Sequence, residues 1–256
     1  MTGNRLPITR IPAGSVSPAV LVCGDPGRAA KVATYLEQGE LLSDHREYRL
    51  YRGAYNGMDV SVCSHGIGAP GAAIAFEELI AAGGRQLIRV GTCGSLQPNI
   101  DSGHLIIATA AVQHCGYGRE TVPEGYPAVA SLALTQALLQ SATEAGHPCH
   151  GGIVLTRDNF YAGVATPYTP DYQVMSKANV LAVEMECAAL FIVGALRNVE
   201  TAAILAVDGN VLNTAESMDT YNPHRDVVTA AVEIEIKIAL QALKRLEIGQ
   251  SPISNL

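Results

Sequence analysis

Short apolar runs alternate with helical stretches along this chain, and each apolar run ends in a glycine-rich or polar turn. AVLVC (19–23) leads into GDPGRA, and VSVC (60–63) leads into SHGIGAPG. AAIAFEELIAA (72–82) has helical composition and spacing. LIRV (87–90) and HLIIATAAV (104–112) read as strands, with GTCGS as the turn after the first. A helix is expected over SLALTQALLQSATEAG (131–146), closed by Gly146. GGIVLT (151–156) is a strand, 181–198 starts extended and becomes helical, and TAAILAV (201–207) is another strand. A long helix is expected from about Val227 to Arg245.

Strands alternating with helices predict an α/β fold, with a mixed, largely parallel central sheet flanked by helices. No linker, repeat or low-complexity segment divides the 256 residues, so residues 1–256 are expected to form a single domain. In such sheets the ligand lies beyond the carboxyl ends of the strands. The unusual polar residues of this chain fall there.

Arg89 is the sharpest case. It sits in an apolar strand, and a guanidinium cannot lose its charge, so it needs an anionic partner. One reading is structural pairing with a buried carboxylate, Glu78 or Glu186. The other is a small oxyanion ligand shared with Thr92. GDPGRA offers a similar choice: either a tight turn with a solvated Arg28, or an anion cradle of Gly24, helix N-terminal amides and Arg28. Two arginines and two glycine-rich strand ends at one edge favour phosphate.

Carboxylates stand at two further strand ends. VEMECAAL (183–190) holds Glu184 and Glu186, which share one side of an extended chain. The plain reading makes one of them structural and the other solvated. Asp208, in AVDGN, is either a turn cap or a general acid whose pKa desolvation raises.

Composition narrows the function. The net charge is −7 with no basic run, which argues against a nucleic-acid partner. No apolar run reaches the roughly 20 residues that span a bilayer, so no membrane role is expected, and the first residues lack the apolar stretch of a signal peptide. The six cysteines are scattered without zinc spacing. They read as reduced, mostly buried small residues, and no metal site is expected. A cytoplasmic protein follows.

Taken together, GDPGRA, SHGIGAPGAAIAFEEL, IRVGTCGSLQP, VEMECAAL and ILAVDGN, in this order, resemble the purine/uridine nucleoside phosphorylase family, in its hexamer-forming branch. The resemblance covers the chain from about Val20 to Arg245. It implies a pentosyltransferase that cleaves a nucleoside with inorganic phosphate to give free base and ribose 1-phosphate. Phosphate is a co-substrate, and no other cofactor is implied. Matched motif by motif, Gly24, Arg28, Arg89 and Thr92 bind phosphate. Arg46, in REYRLYRG, is lent across a dimer interface to the neighbouring subunit's phosphate. Met185 and Glu186 hold the ribose, Phe160 lines the base pocket, and Asp208 meets the base as its acid. The partners implied are nucleoside, phosphate and further copies of the chain: at least a dimer with shared sites, and a hexamer built as a trimer of dimers.

Three departures bear on specificity. RLPITR supplies no histidine before His45, where the family has one for the ribose 5′-hydroxyl. FYAGVATPYTP has neither the glutamine nor the arginine with which uridine-specific members read uracil. Yet SDHREY, LQPNIDSGHLIIATAAV and PEGYPAVA look closer to uridine phosphorylases. Asp208 and the absent uracil readers favour purine nucleosides such as inosine or guanosine. The alternatives are uridine phosphorolysis and, with water as nucleophile, a hydrolytic nucleosidase; three arginines for phosphate argue against the latter.

Overall fold

Successive side chains on a strand point to opposite faces, so a strand covered on both sides must be apolar throughout. The strand β1 (Ala19–Cys23) is buried along its whole length. Val20 and Val22 join one core, while Ala19, Leu21 and Cys23 join the other. The computed structural model describes residues 4–161, 163–212, 222 and 225–248.

After β1 come α1 (Pro26–Ala33), β2 (Glu37–His45), β3 (Tyr48–Tyr55), β4 (Met58–Ser64) and α2 (Ala69–Ala81). The middle of the chain forms β5 (Gln86–Ser95), β6 (Leu105–His114), α3 (Gly116–Thr121), β7 (Ala128–Val129) and α4 (Leu132–Ala145). It ends with β8 (Cys149–Arg157), α5 (Tyr172–Lys177), β9 (Val180–Glu184), α6 (Cys187–Arg197), β10 (Glu200–Asn210) and α7 (Asp226–Ile248).

All ten strands join one mixed sheet. Parallel pairs make its centre: β1 with β4 and β5, β5 with β10, and β8 with β6 and β9. Antiparallel pairs link β2–β3, β3–β4, β10–β6, β5–β9 and β6–β7. Because β5 pairs with both β10 and β9, the strands β5–β10–β6–β8–β9 close into a ring, and β1, β4, β3 and β2 extend from it as an open wing. Helices α2 and α6 pack in one core, and α1, α4 and α7 in the other. No helix among the described residues is long and apolar enough to cross a membrane.

The expected elements form; the short α3, β7 and α5 are additional, and two further differences stand out. GTCGS is not a turn: β5 continues through it to Ser95, held by β10 up to the Ser95–Asn210 pair. The β2–β3 hairpin has no counterpart among the expected elements, because β2 is almost wholly exposed and shows no apolar alternation. Gly146 closes α4 in the left-handed conformation, φ 64°, as expected.

One glycine sets how closely α6 lies on the sheet. A Cβ on Gly194 would come within 2.5 Å of Thr201 Oγ1 and 2.6 Å of its Cγ2, both on buried β10. Gly194→Ala is therefore expected to lose about 1–3 kcal/mol through overpacking, and chemical denaturation of the variant measures the loss.

Candidate active site

The carboxyl ends of β1, β5, β9 and β10 open onto a single cavity of about 1460 Å3. Gly24, Arg28, Arg89, Thr92, Phe160, Met185, Glu186 and Asp208 all line it. Residues from five separate motifs thus reach one place, the place the strand-end rule predicts.

Arg89 is buried, 4% exposed, and of its two open readings the pairing with a buried carboxylate is the one seen directly, while the guanidinium also borders the cavity. Its Nη2 pairs with Glu186 Oε2 at 2.5 Å, and its Nε stands 3.5 Å from Glu184 Oε2. Burial works against the Arg89 charge, but Glu186 and Glu184 outweigh it and hold the pKa above the usual arginine value. Glu78 is not the partner; it accepts from the Ile8 and Thr9 amides and the Thr9 hydroxyl. Glycine at position 91 is required by this arrangement, since a Cβ there would lie 2.7–2.8 Å from the Arg89 guanidinium.

His65, fully buried, completes the surroundings of Arg89. Burial and then the Arg89 charge hold its pKa well below the ordinary value, so the ring is neutral. Nδ1 lies 2.9 Å from the Gly66 carbonyl and must carry the proton. Nε2 is left as an acceptor, 3.4 Å from Arg89 Nη1.

The two glutamates differ from expectation: neither is solvated, at 5% and 4% exposure. Glu184 is structural. It accepts from the Glu186 and Cys187 amides at the start of α6 and from the Thr156 hydroxyl. Glu186 faces the cavity, held by Arg89 and by the Gly68 amide at 2.6 Å. Burial, with Glu184 adding to it, pushes the Glu186 pKa up despite Arg89.

Arg28 also lines the cavity, but its setting corrects the anion-cradle reading in one respect. The α1 amides are not open to a ligand, because the Asp25 carboxylate accepts from Gly27 N at 2.8 Å and Arg28 N at 3.0 Å. Gly24 and the Arg28 side chain remain on the cavity wall. Arg28 is anchored through Nη1, 3.2 Å from the Val90 carbonyl and 3.4 Å from Glu235 Oε1.

Asp208 ends β10 beside a bulge between Val207 and Gly209 and is 6% exposed. Its carbonyl accepts from Arg225, which also donates to Ser102 Oγ at 2.6 Å. Arg46 stands apart. It sits exposed on the β2–β3 turn, with φ 55°, and does not line the cavity of its own chain, whereas its neighbour Glu47 does. Phe160 is 41% exposed and stacks edge-on against Tyr161, ring centroids 5.1 Å apart. Among the buried thiols, Cys23 is pushed up to about 12 and Cys93 and Cys187 well above their ordinary values by burial, so none of these supplies a thiolate nucleophile.

Sequence reasoning missed Arg157, which lines the cavity and donates to the Tyr172 hydroxyl at 2.6 Å. The signal was present, since Arg157 follows the apolar run of β8 at its carboxyl end. The division of labour between the glutamates is testable. Glu184→Ala strips the acceptor from two amides and a guanidinium, and is expected to cost about 3–5 kcal/mol in urea unfolding. Glu186→Gln, which keeps an acceptor for Gly68, is expected to cost less than half of that in the same measurement.

Comparison with known proteins agrees with this geometry. The family model described as the phosphorylase superfamily matches residues 18–244. The chain is 37% identical to the uridine phosphorylase of Treponema pallidum (strain Nichols), over 94% of this chain and 93% of that protein. It is 38% identical to the purine nucleoside phosphorylase of Plasmodium vivax (strain Salvador I), over 96% of this chain and 98% of that protein. Among solved structures, the purine nucleoside phosphorylase of Toxoplasma gondii in complex with immucillin-H superposes with a TM-score of 0.89 at 36% identity, covering 97% of this chain and 99% of that one. By motif, fold and extent of match, the chain belongs to the phosphorylase superfamily.

Proposed function

We propose that the protein is a nucleoside phosphorylase that acts on purine nucleosides such as inosine or guanosine, using inorganic phosphate as co-substrate and no metal or organic cofactor. The observation that carries this reading is the convergence of Arg28, Arg89 and Thr92 with Glu186 and Asp208 on one cavity. Phosphate has its cations, the sugar hydroxyls have a fixed carboxylate, and the base has an acid.

The chemistry follows from the charges. As the glycosidic bond lengthens, the base leaves with the bonding electrons and the sugar gains oxocarbenium character. A phosphate dianion held beneath the ring by Arg28 and Arg89 stabilises that charge, and its oxygen forms the new bond to C1′. Glu186, fixed by Gly68 and Arg89, accepts from ribose hydroxyls, and Met185 packs against the sugar. Phe160 faces the base, and Asp208 supplies a proton or hydrogen bond to the leaving ring nitrogen. A hydrolytic reaction would leave the arginines without a role.

Arg46, exposed on its turn and outside its own cavity, supports service to a neighbouring subunit's phosphate. Ile67, which lines the cavity yet is 81% exposed, is the kind of surface a partner covers. A dimer with shared sites is the least this requires, and the family resemblance extends it to a trimer of dimers. Six unpaired cysteines, five of them buried, favour a reducing compartment, the cytoplasm.

Uridine is the second reading, favoured by SDHREY, LQPNIDSGHLIIATAAV and PEGYPAVA and by the likeness to the Treponema pallidum protein. Base release from inosine and from uridine, with and without phosphate, tests the reaction and the base together. Phosphate-dependent release from inosine is expected. Release without phosphate would make the enzyme a nucleosidase. Asp208→Asn is expected to cut kcat for inosine by about 100-fold or more, the scale of a lost general acid, and to affect uridine far less. Equal, minor losses on both substrates would assign Asp208 to the turn and favour uridine.

A further inference from the structure

One buried acid near the site takes no part in the chemistry above. Glu235 lies in the middle of α7 at 0% exposure. Its Oε1 is 3.4 Å from Arg28 Nη1, and its Oε2 has no hydrogen-bond partner. Arg28 therefore stands between the cavity on one side and an under-satisfied carboxyl group on the other. A buried carboxylate this poorly solvated is costly unless it is neutralised.

We infer that Glu235 is a positioning residue for the oxyanion site: it anchors Arg28 from behind, and its protonation is coupled to the binding of a dianion by Arg28. This deepens the phosphorylase reading and rests on it, because Arg28 must be the residue that meets phosphate. An ionised Glu235 draws the guanidinium away from the cavity and repels the incoming dianion. A protonated Glu235 leaves the whole Arg28 charge to the ligand. By reciprocity, a bound dianion favours the protonated acid.

The surroundings leave Glu235 as the group that responds near neutral pH. Burial pushes it up to about 8, against the opposing charges of Arg28 and Arg89 and the Ala206 backbone amide. From β5 it also faces Cys93 and from β1 Cys23, whose thiols burial holds well above and at about 12. From α1, Lys31 is engaged by Glu233, 2.7 Å away. From α4, Glu144 is engaged by Arg245, farther along α7. His65 lies across Arg89 and is held neutral. The sign follows. A carboxyl group with a raised pKa is protonated below about pH 8, and dianion binding raises that pKa further. Binding therefore takes up protons and weakens as pH rises through the window.

Phosphate titrates in the same range, so sulfate, which stays a dianion, is the probe. Its Ki as a competitor of phosphate is measured from about pH 7 to 9.5 with the intact enzyme. The wild-type Ki is expected to rise about tenfold, within the usual span of such couplings. Glu235→Gln, which mimics the neutral acid, is expected to flatten the profile. A wild-type Ki that stays level across the window, or an identical rise in Glu235→Gln, overturns the inference. Calorimetric titration of the wild type with sulfate near pH 8, in buffers of different ionisation enthalpy, needs no variant to fold. Net proton uptake is expected, and zero uptake overturns the inference. If phosphate does not drive base release, or if Arg28→Ala leaves the sulfate Ki unchanged, the reading of Arg28 itself fails and takes this inference with it.

Discussion

Burying a guanidinium in the middle of a strand costs several kcal/mol unless carboxylates meet it, and much of the layout around β5 answers that demand. Glu184 and Glu186 come from the junction of β9 and α6, so that junction must lie against Arg89. Gly91 leaves the guanidinium the volume it occupies. His65 contributes a lone pair rather than a charge, because a second cation there would undo the balance. The Gly68 amide then fixes the far oxygen of Glu186 and ties α2 to the same cluster. Three segments remote in sequence, around residues 65–68, 89–91 and 184–186, are held together by one cation.

A second cation repeats the arrangement at lower strength. Arg28 is backed by the Val90 carbonyl and one oxygen of Glu235, both at more than 3 Å. Each arginine at the cavity thus has an internal acceptor that any anion must compete with. A naked pair of arginines would hold phosphate tightly and release its sugar ester slowly. Cations already shared with the protein would, on the proposed reading, bind the same ligand more weakly and let the product go.

The fold and the polar residues at several of the strand ends that open onto the cavity were legible because burial and polarity conflict at strand ends. Arg89, Glu186 and Asp208 each follow an apolar run, and a charge in that position is conspicuous. The β2–β3 hairpin was not legible, because an exposed edge strand carries no apolar alternation. Asp25 was overlooked as the α1 cap although Asp–Pro at a helix start is a capping pattern; the glycines beside it drew the anion reading instead. Glu235 was hidden by its neighbours. In VEIEIK the charges at 233, 235 and 237 look like one solvated series, yet on a helix 233 and 237 share a face and 235 lies opposite.

The ring of strands has a consequence for how the molecule is made. Among the described residues β10 is the last strand of the sheet, yet it occupies the slot between β5 and β6. Until residue 200 has left the ribosome, both of those apolar strands have an unpaired edge facing the vacant slot. A sheet assembled before that point is open at its centre. Closure of the sheet and placement of Asp208 at the cavity then depend on a single late insertion, so a chain cut before β10 exposes adhesive strand edges.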